Sequence, residues 1–279
     1  MLRQLAKQLL RATLAERIEM PRAQRQLISA PGVSPADAAM LEQVSLRVHP
    51  NEEMYRPFHP EHYLNVGLST IHAIDAALNV TGPMSGGVQN ILDFPCGHGR
   101  VMRFLRLRFP RAVIYAAELE ATGLDFCRVN FDAKPVPTSS DFDALTLITK
   151  FDLIWCGSLL THTDEASTAA LLRFFHRHLM PAGICVFTTH GDYPAENLER
   201  GMHGYGLPAD AQKTIVAQYR EKGFGFGAYA GQTSYGISLA THERVQAIAA
   251  AAGAWKELYF TPRGWDNHQD IHAYQRAAE

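Results

Sequence analysis

Two glycines and a carboxylate carry the clearest chemistry in this chain. In Asn90-Ile91-Leu92-Asp93-Phe94-Pro95-Cys96-Gly97-His98-Gly99-Arg100 an apolar run ends in a glycine turn, and Glu118 follows Gly99 by nineteen residues. Glycines at 97 and 99 let backbone N–H groups come close to a ligand at the start of a helix. A carboxylate at the tip of the next strand can accept hydrogen bonds from both hydroxyls of a ribose. The pattern describes a pocket for a nucleoside-containing cofactor. A second set is His162, His190 and His268, imidazoles able to take a proton near neutral pH.

Which nucleoside is decided by what is missing. A dinucleotide fingerprint needs a third glycine three residues after the second, and that place is Met102. No Gly-Lys-Ser/Thr occurs, so a Walker-type phosphate loop is absent. The stretch resembles the first motif of the class I S-adenosylmethionine-dependent methyltransferases, Asp-x-Gly-x-Gly-x-Gly or Asp-x-Gly-Cys-Gly-x-Gly. Asp93, Cys96, Gly97 and Gly99 fall on it, and Pro95 replaces its first glycine, fixing φ and removing one donor. The resemblance implies S-adenosyl-L-methionine as cofactor, held around Asp93, Pro95, Gly97, Gly99 and Glu118. In many similar enzymes a Tyr-x-x-x-Gly before the first strand sits over the methionine end; Tyr63 and Gly67 have that spacing. The resemblance also gives Asp141 the adenine amino group and Phe142 the face of the ring. Helix packing through a small residue and helix capping are the structural alternatives for Gly67 and Asp141.

The elements that must hold these residues alternate. Strands are expected over 88–94, 112–119, 134–139, 151–156, 183–189, 255–261 and 271–276, and helices over 100–109, 122–131, 164–180 and 241–252. Such alternation calls for a parallel sheet with helices on both faces. The expected class is α/β: a Rossmann-like doubly wound sheet with an antiparallel last strand, a helical N-terminal extension and a cap insertion after strand five. We divide the chain into a helical region 1–82 and a cofactor-binding domain 83–279 carrying the cap at 193–236. The resemblance covers roughly residues 60–279.

In open α/β sheets ligands lie beyond the carboxyl ends of the strands. That rule places Glu118 and Leu119 after strand two, with Leu119 able to pack on the adenine. Cys156 and His162 follow strand four and line the way to the methyl group, and His190 follows strand five. His268 belongs to Gly264-Trp265-Asp266-Asn267-His268-Gln269-Asp270, either a polar cluster at the same face or a hairpin satisfying its own backbone. The insertion holds Tyr205, Tyr219, Phe224, Phe226, Tyr229 and Tyr235 and reads as a lid over the acceptor.

A net charge of −2 over 279 residues gives no reason to expect a nucleic-acid partner. Four cysteines, 96, 127, 156 and 185, lack paired spacing and suit buried thiols in a reducing compartment. No apolar run reaches spanning length and no leader-like segment is present, so a cytoplasmic enzyme is expected. Residues 1–19 read as a helix with an apolar stripe at Leu2, Leu5, Leu9, Leu10, Leu14 and Ile18 among Arg3, Lys7, Arg11 and Arg17. It suits packing on the enzyme itself or on a second subunit in a homo-oligomer, or peripheral contact with an anionic membrane. Ser34 and Pro35 start a helix running to 48, and a third runs over 60–78. His59 and His62 have ligand-like spacing, but no partner residues complete a set, and no metal is expected. The expected activity is methyl transfer to oxygen on a small-molecule or sugar-like acceptor. A nicotinamide-dependent oxidoreductase and a non-catalytic binding protein are the alternatives.

Overall fold

The computed structural model describes residues 8, 10–82 and 87–277. Leu2, Arg3, Leu5, Lys7 and Leu9 of the expected N-terminal stripe, and residues 83–86 of the glycine-containing linker, lie outside the described residues. The chain divides into two compact units, Met1–His72 with Pro95–Val136, and Ala73–Phe94 with Pro137–Glu279.

In the first unit residues 10–28 are helical throughout, with a π-helical turn at Ala15–Glu19 leading into α1 (Met20–Ile28). The helix therefore runs past its expected end at 19. Pro21 removes a donor, and the wider turn before it absorbs the break. Leu10, Leu14 and Ile18 are 61%, 45% and 59% exposed, whereas Ala12, Ala15, Met20 and Ala23 are buried. Ala12, Ala15, Met20 and Ala23 thus form the inward face, and the three described residues of the stripe stand outward and do not pack on their own chain. Ser34 Oγ accepts the Asp37 N–H at 3.0 Å to cap α2 (Pro35–Gln43). That helix stops short of 48 because Val44 turns extended, at φ −63 and ψ 135. Next come α3 (Pro60–Thr81), which belongs to this unit as far as His72, α4 (Met102–Arg108), β2 (Val113–Ala116), α5 (Ala121–Phe131) and β3 (Lys134–Pro135). β3 pairs parallel to β2 and is shorter than the expected 134–139, since Pro135 and Pro137 cannot donate to a ladder.

The second unit holds β1 (Asn90–Asp93), β4 (Phe151–Cys156), β5 (Leu179–Thr189), β8 (Trp255–Trp265) and β9 (Gln269–Arg276). They are ordered β1-β4-β5-β9-β8. β1, β4 and β5 run parallel, and β9 and β8 antiparallel. Asp164 Oδ1 caps α6 (Glu165–His178) and Thr241 Oγ1 caps α9 (His242–Ala252). β8 extends past the expected 261, and its hairpin with β9 turns at Asp266 and Asn267, both with positive φ (56 and 51).

The region after β5 is not irregular. It forms α7 (Asp192–Glu199), α8 (Ala209–Lys222) and a hairpin of β6 (Phe224–Ala228) with β7 (Gly236–Ala240). These elements share a core of their own, including Leu198, Ile215, Tyr219, Ile237 and Leu239. α8 packs so closely on β6 that a Cβ at Gly225 would stand 2.1 Å from the Ile215 carbonyl oxygen. The four cysteines are buried free thiols. Among the described residues no helix is long and apolar enough to cross a membrane.

Candidate active site

The first unit builds the glycine turn. Gly97 and Gly99 have φ of +50 and +79, and nothing lies within 4 Å of where a Cβ on Gly97 would stand. A Cβ on Gly99 would instead meet Phe131 at 2.4 Å and Cys127 Sγ at 3.2 Å. Gly99 thus lets the turn sit down on α5, while Gly97 keeps the turn open on its outer side. Glu118, two residues past β2, accepts the Gly97 N–H on Oε2 at 3.0 Å. Its Oε1 accepts from the Leu119 and Glu120 N–H groups at 2.7 and 3.1 Å. Leu119 is 73% exposed beside it, as an apolar surface for a ring would be.

Tyr63 is fully buried. Its hydroxyl donates to Glu52 Oε2 at 2.7 Å and accepts from an Arg103 terminal nitrogen at 3.2 Å. Arg103, itself 2% exposed, also donates from Nε to the Gly99 carbonyl at 3.0 Å and from NH1 to the Ser45 carbonyl at 2.7 Å. Burial, the largest cause, pushes the Tyr63 phenol well above its ordinary pKa, so it stays an O–H donor. A Cβ on Gly67 would meet the Phe104 ring at 2.4 Å and the Arg100 carbonyl at 2.7 Å. The missing side chain is explained by that close helix contact. Pro95 stands half-buried in the turn.

In the second unit Asp93 ends β1 and is 1% exposed. Cys156 ends β4 as a fully buried thiol whose pKa burial raises, with Cys185 and Asp93 adding to the effect. Asp141 Oδ1 accepts the Ala144 N–H at 3.1 Å, closing a turn rather than capping a helix. Phe142 is 9% exposed and packs edge-on against Phe94, ring centres 6.2 Å apart.

Two of the three histidines, His190 and His268, meet, and His162 packs on Tyr229 and Tyr235. β7 crosses the loops that carry two of them: Gly236 N–H donates to the His162 carbonyl and Ala240 N–H to the His190 carbonyl, each at 2.8 Å. His162 Nδ1 donates to the Gly236 carbonyl at 2.7 Å, and its ring stacks on Tyr235 at 5.2 Å. His190, 4% exposed, lies 5.5 Å from His268 and 5.3 Å from Tyr205, centre to centre. The Tyr205 hydroxyl pairs with His268 Nε2 at 3.1 Å, and Tyr193 meets His268 edge-on. Burial lowers the pKa of all three imidazoles from 6.5, His190 furthest because His268 and His162 repel its positive form as well. His190 Nδ1 is buried with no hydrogen-bond partner among the described residues. Ser158, left-handed at φ 62 just past β4, gives its N–H to Thr188 Oγ1 at 2.8 Å. Gln269 Nε2 in turn donates to Ser158 Oγ at 2.7 Å.

Sequence reasoning missed Arg103, Glu52 and Gly123. A Cβ on Gly123 would stand 2.6 Å from the Gly97 carbonyl, so this glycine admits α5 against the turn. Its signal was a glycine in the first turn of the helix that follows Glu118. Arg103 was detectable as a charge inside the apolar run Met102, Phe104, Leu105.

The methyltransferase domain family matches residues 91–183. A crystal structure of an S-adenosylmethionine-dependent methyltransferase from Clostridium acetobutylicum is 12% identical over 77% of this chain and 92% of that one, with a TM-score of 0.53. DesVI from Streptomyces venezuelae is 16% identical over 81% of this chain and 100% of that one, also at 0.53. A third structure, an S-adenosylmethionine-dependent methyltransferase from Methanosarcina mazei, is 12% identical over 72% of this chain and 98% of that one, at 0.50. The likeness at these identities is one of fold: mixed α/β and Rossmann-like. A comparison with curated proteins finds no match.

Proposed function

As a class I S-adenosylmethionine-dependent methyltransferase, this chain, we propose, transfers the methyl group to a hydroxyl of a small-molecule or sugar-like acceptor. The residues at the glycine turn fit the cofactor. Gly97 is open where a side chain would stand, and of the two Glu118 oxygens Oε2 accepts one N–H, leaving a lone pair for a ribose hydroxyl. Gly99, Pro95 and Asp93 would shape the turn around it, with Leu119 against the adenine. The cofactor supplies a methyl already activated on a sulfonium. Tyr63 and Gly67 would act through the turn, by holding Arg103 and Phe104 in place. Asp141 and Phe142 keep their expected adenine roles, and Cys156 its place along the channel, in this proposal.

The observation that carries the acceptor assignment is a pair of aromatic groups past the ends of β4 and β5, His162 with Tyr229 and Tyr235, and His190 and His268 with Tyr193 and Tyr205. Three imidazoles with lowered pKa are neutral at pH 7 and able to accept a proton. Tyrosines and histidines together offer the mixed polar and aromatic wall that suits a hydroxylated acceptor. Transfer of a labelled methyl to a panel of diols, sugars, phenols and amines tests the reading. Label on oxygen is expected, and transfer to amines alone would contradict it.

The cap is assigned to acceptor recognition. Its hairpin continues to Ala240, so deletion of 193–236 would strand Ile237 and Leu239, both buried. Replacing residues 192–240 by a short glycine linker is expected to abolish methyl transfer and spare cofactor affinity, measured by calorimetry. Equal loss of both in a folded deletion would make this segment part of the cofactor site.

A further inference from the structure

A cavity of about 440 Å³ opens in the second unit between α7, α9 and the β8–β9 hairpin. Its walls include Tyr193, Tyr219 and Phe260, and its carboxylates are Asp192, Glu196, Glu243 and Asp270. Two of the nearby acids are already matched. Asp192 pairs with Arg220 at 3.0 Å, and Glu196 with Arg200 at 3.1 Å. Asp270 and Glu243 have no ion-pair partner among the described residues. Asp270 is 5% exposed. One of its oxygens accepts the Arg263 backbone N–H at 2.8 Å. The other is packed where a Cβ on Gly191 would stand, at 1.9 Å. The Arg263 guanidinium, itself part of the lining, lies over one face of the Tyr193 ring at 3.9 Å and donates to the Asn267 carbonyl at 3.2 Å, and the His242 ring stacks on one face of Phe260 at 3.9 Å.

We propose that this cavity binds a small organic cation, with its ammonium or guanidinium group on Asp270 and its body against Tyr193, Tyr219 and Phe260. A buried carboxylate without a counter-charge is costly unless something pairs with it. Burial, the largest cause, pushes the Asp270 carboxyl up to about 6, with Asp192 adding to the rise and His242 opposing it. Aromatic faces attract cations through their ring quadrupoles, and a pocket of a few hundred Å³ suits a small ligand. Glu243, exposed in the first turn of α9, adds a second negative charge at the rim. No residue of the two histidine groups other than Tyr193 is involved, so the site stands or falls independently of the acceptor assignment.

Calorimetric titration of 1,4-diaminobutane and of agmatine into the full chain, without methyl donor, tests this. Saturable one-to-one binding is expected for at least one of them, with none for 1,4-butanediol. Asp270→Asn should weaken it at least tenfold, and Glu243→Arg, which sets a cation over the mouth, should do the same. Asp125→Asn, an exposed acid of the other unit, should leave it unchanged. Absence of saturable binding by either cation overturns the proposal. So does affinity unaltered in Glu243→Arg, which decides the matter even if Asp270→Asn fails to fold.

Discussion

Alanine in place of His162 is expected to lower turnover roughly 10²–10⁴-fold, the range for loss of a general base. The affinity for S-adenosylmethionine should hardly move. The Gly236 carbonyl can only accept, so the proton on the neutral His162 ring sits on Nδ1 and Nε2 keeps its lone pair. Burial lowers this imidazole's pKa from 6.5. The base form is therefore complete at neutral pH and is lost as the pH falls through a value below 6.5. A wild-type rate profile should show an acid limb in that region, and His162→Ala should remove it. Burial pushes the Asp270 carboxyl up to about 6, into the same region, so Asp270→Asn serves as the control and should retain the limb. The same measurement on His190→Ala decides between the two imidazoles. Normal rates and an unchanged profile in both variants would refute histidine catalysis and leave alignment of the acceptor as the whole device.

Replacing Arg103 by methionine is expected to cost about 3–5 kcal/mol of stability, the scale for stranding several buried polar partners. Methionine has a similar reach and restores none of the donors. The Gly99 and Ser45 carbonyls and the Tyr63 hydroxyl each lose a partner, and Glu52 stays buried at 4% exposure. The packing over the Tyr63 and Phe131 rings, with the guanidinium 5.0 and 5.4 Å from their centres, is partly kept by a methionine. The effect thus isolates the hydrogen bonds. Denaturant unfolding should show a lower midpoint, and cofactor affinity should fall with it because Gly99 is no longer tied down. A change under about 1 kcal/mol, within the scatter of surface substitutions, would mean that Arg103 does not anchor the turn.

Much of the scaffold was legible because local chemistry and tertiary need agree there. The strand at Phe151–Cys156 is buried at every position but Asp152, and its observed bounds coincide with the expected ones. Ser34 and Thr241 cap the helices that their side chains announce. The two glycines of the turn both adopt the positive φ that their spacing implied. The cap was not legible. Phe224-Gly225-Phe226-Gly227-Ala228 looks like a loop, yet Gly225 is required where α8 lies on the strand, a demand made by a partner far away in the sequence. Burial of Arg103 depends in the same way on residues 45, 52 and 63, which no periodicity connects to it. The histidines were found by strand-end position alone. Two of them, His162 and His190, are held on either end of β7, a strand that single-sequence patterning passed over.

Calorimetric titration of S-adenosylmethionine into the wild-type chain and Glu118→Ala tests the central assignment most directly. The carboxylate should contribute about 1.5–3 kcal/mol through charge-assisted hydrogen bonds to ribose, an affinity loss of about 10- to 150-fold. Because Glu118 is only half-buried at a strand end, the variant should unfold at nearly the wild-type denaturant concentration. Weakened binding by a folded variant is the expected result. Undiminished affinity in Glu118→Ala would contradict the placement of the cofactor at this turn.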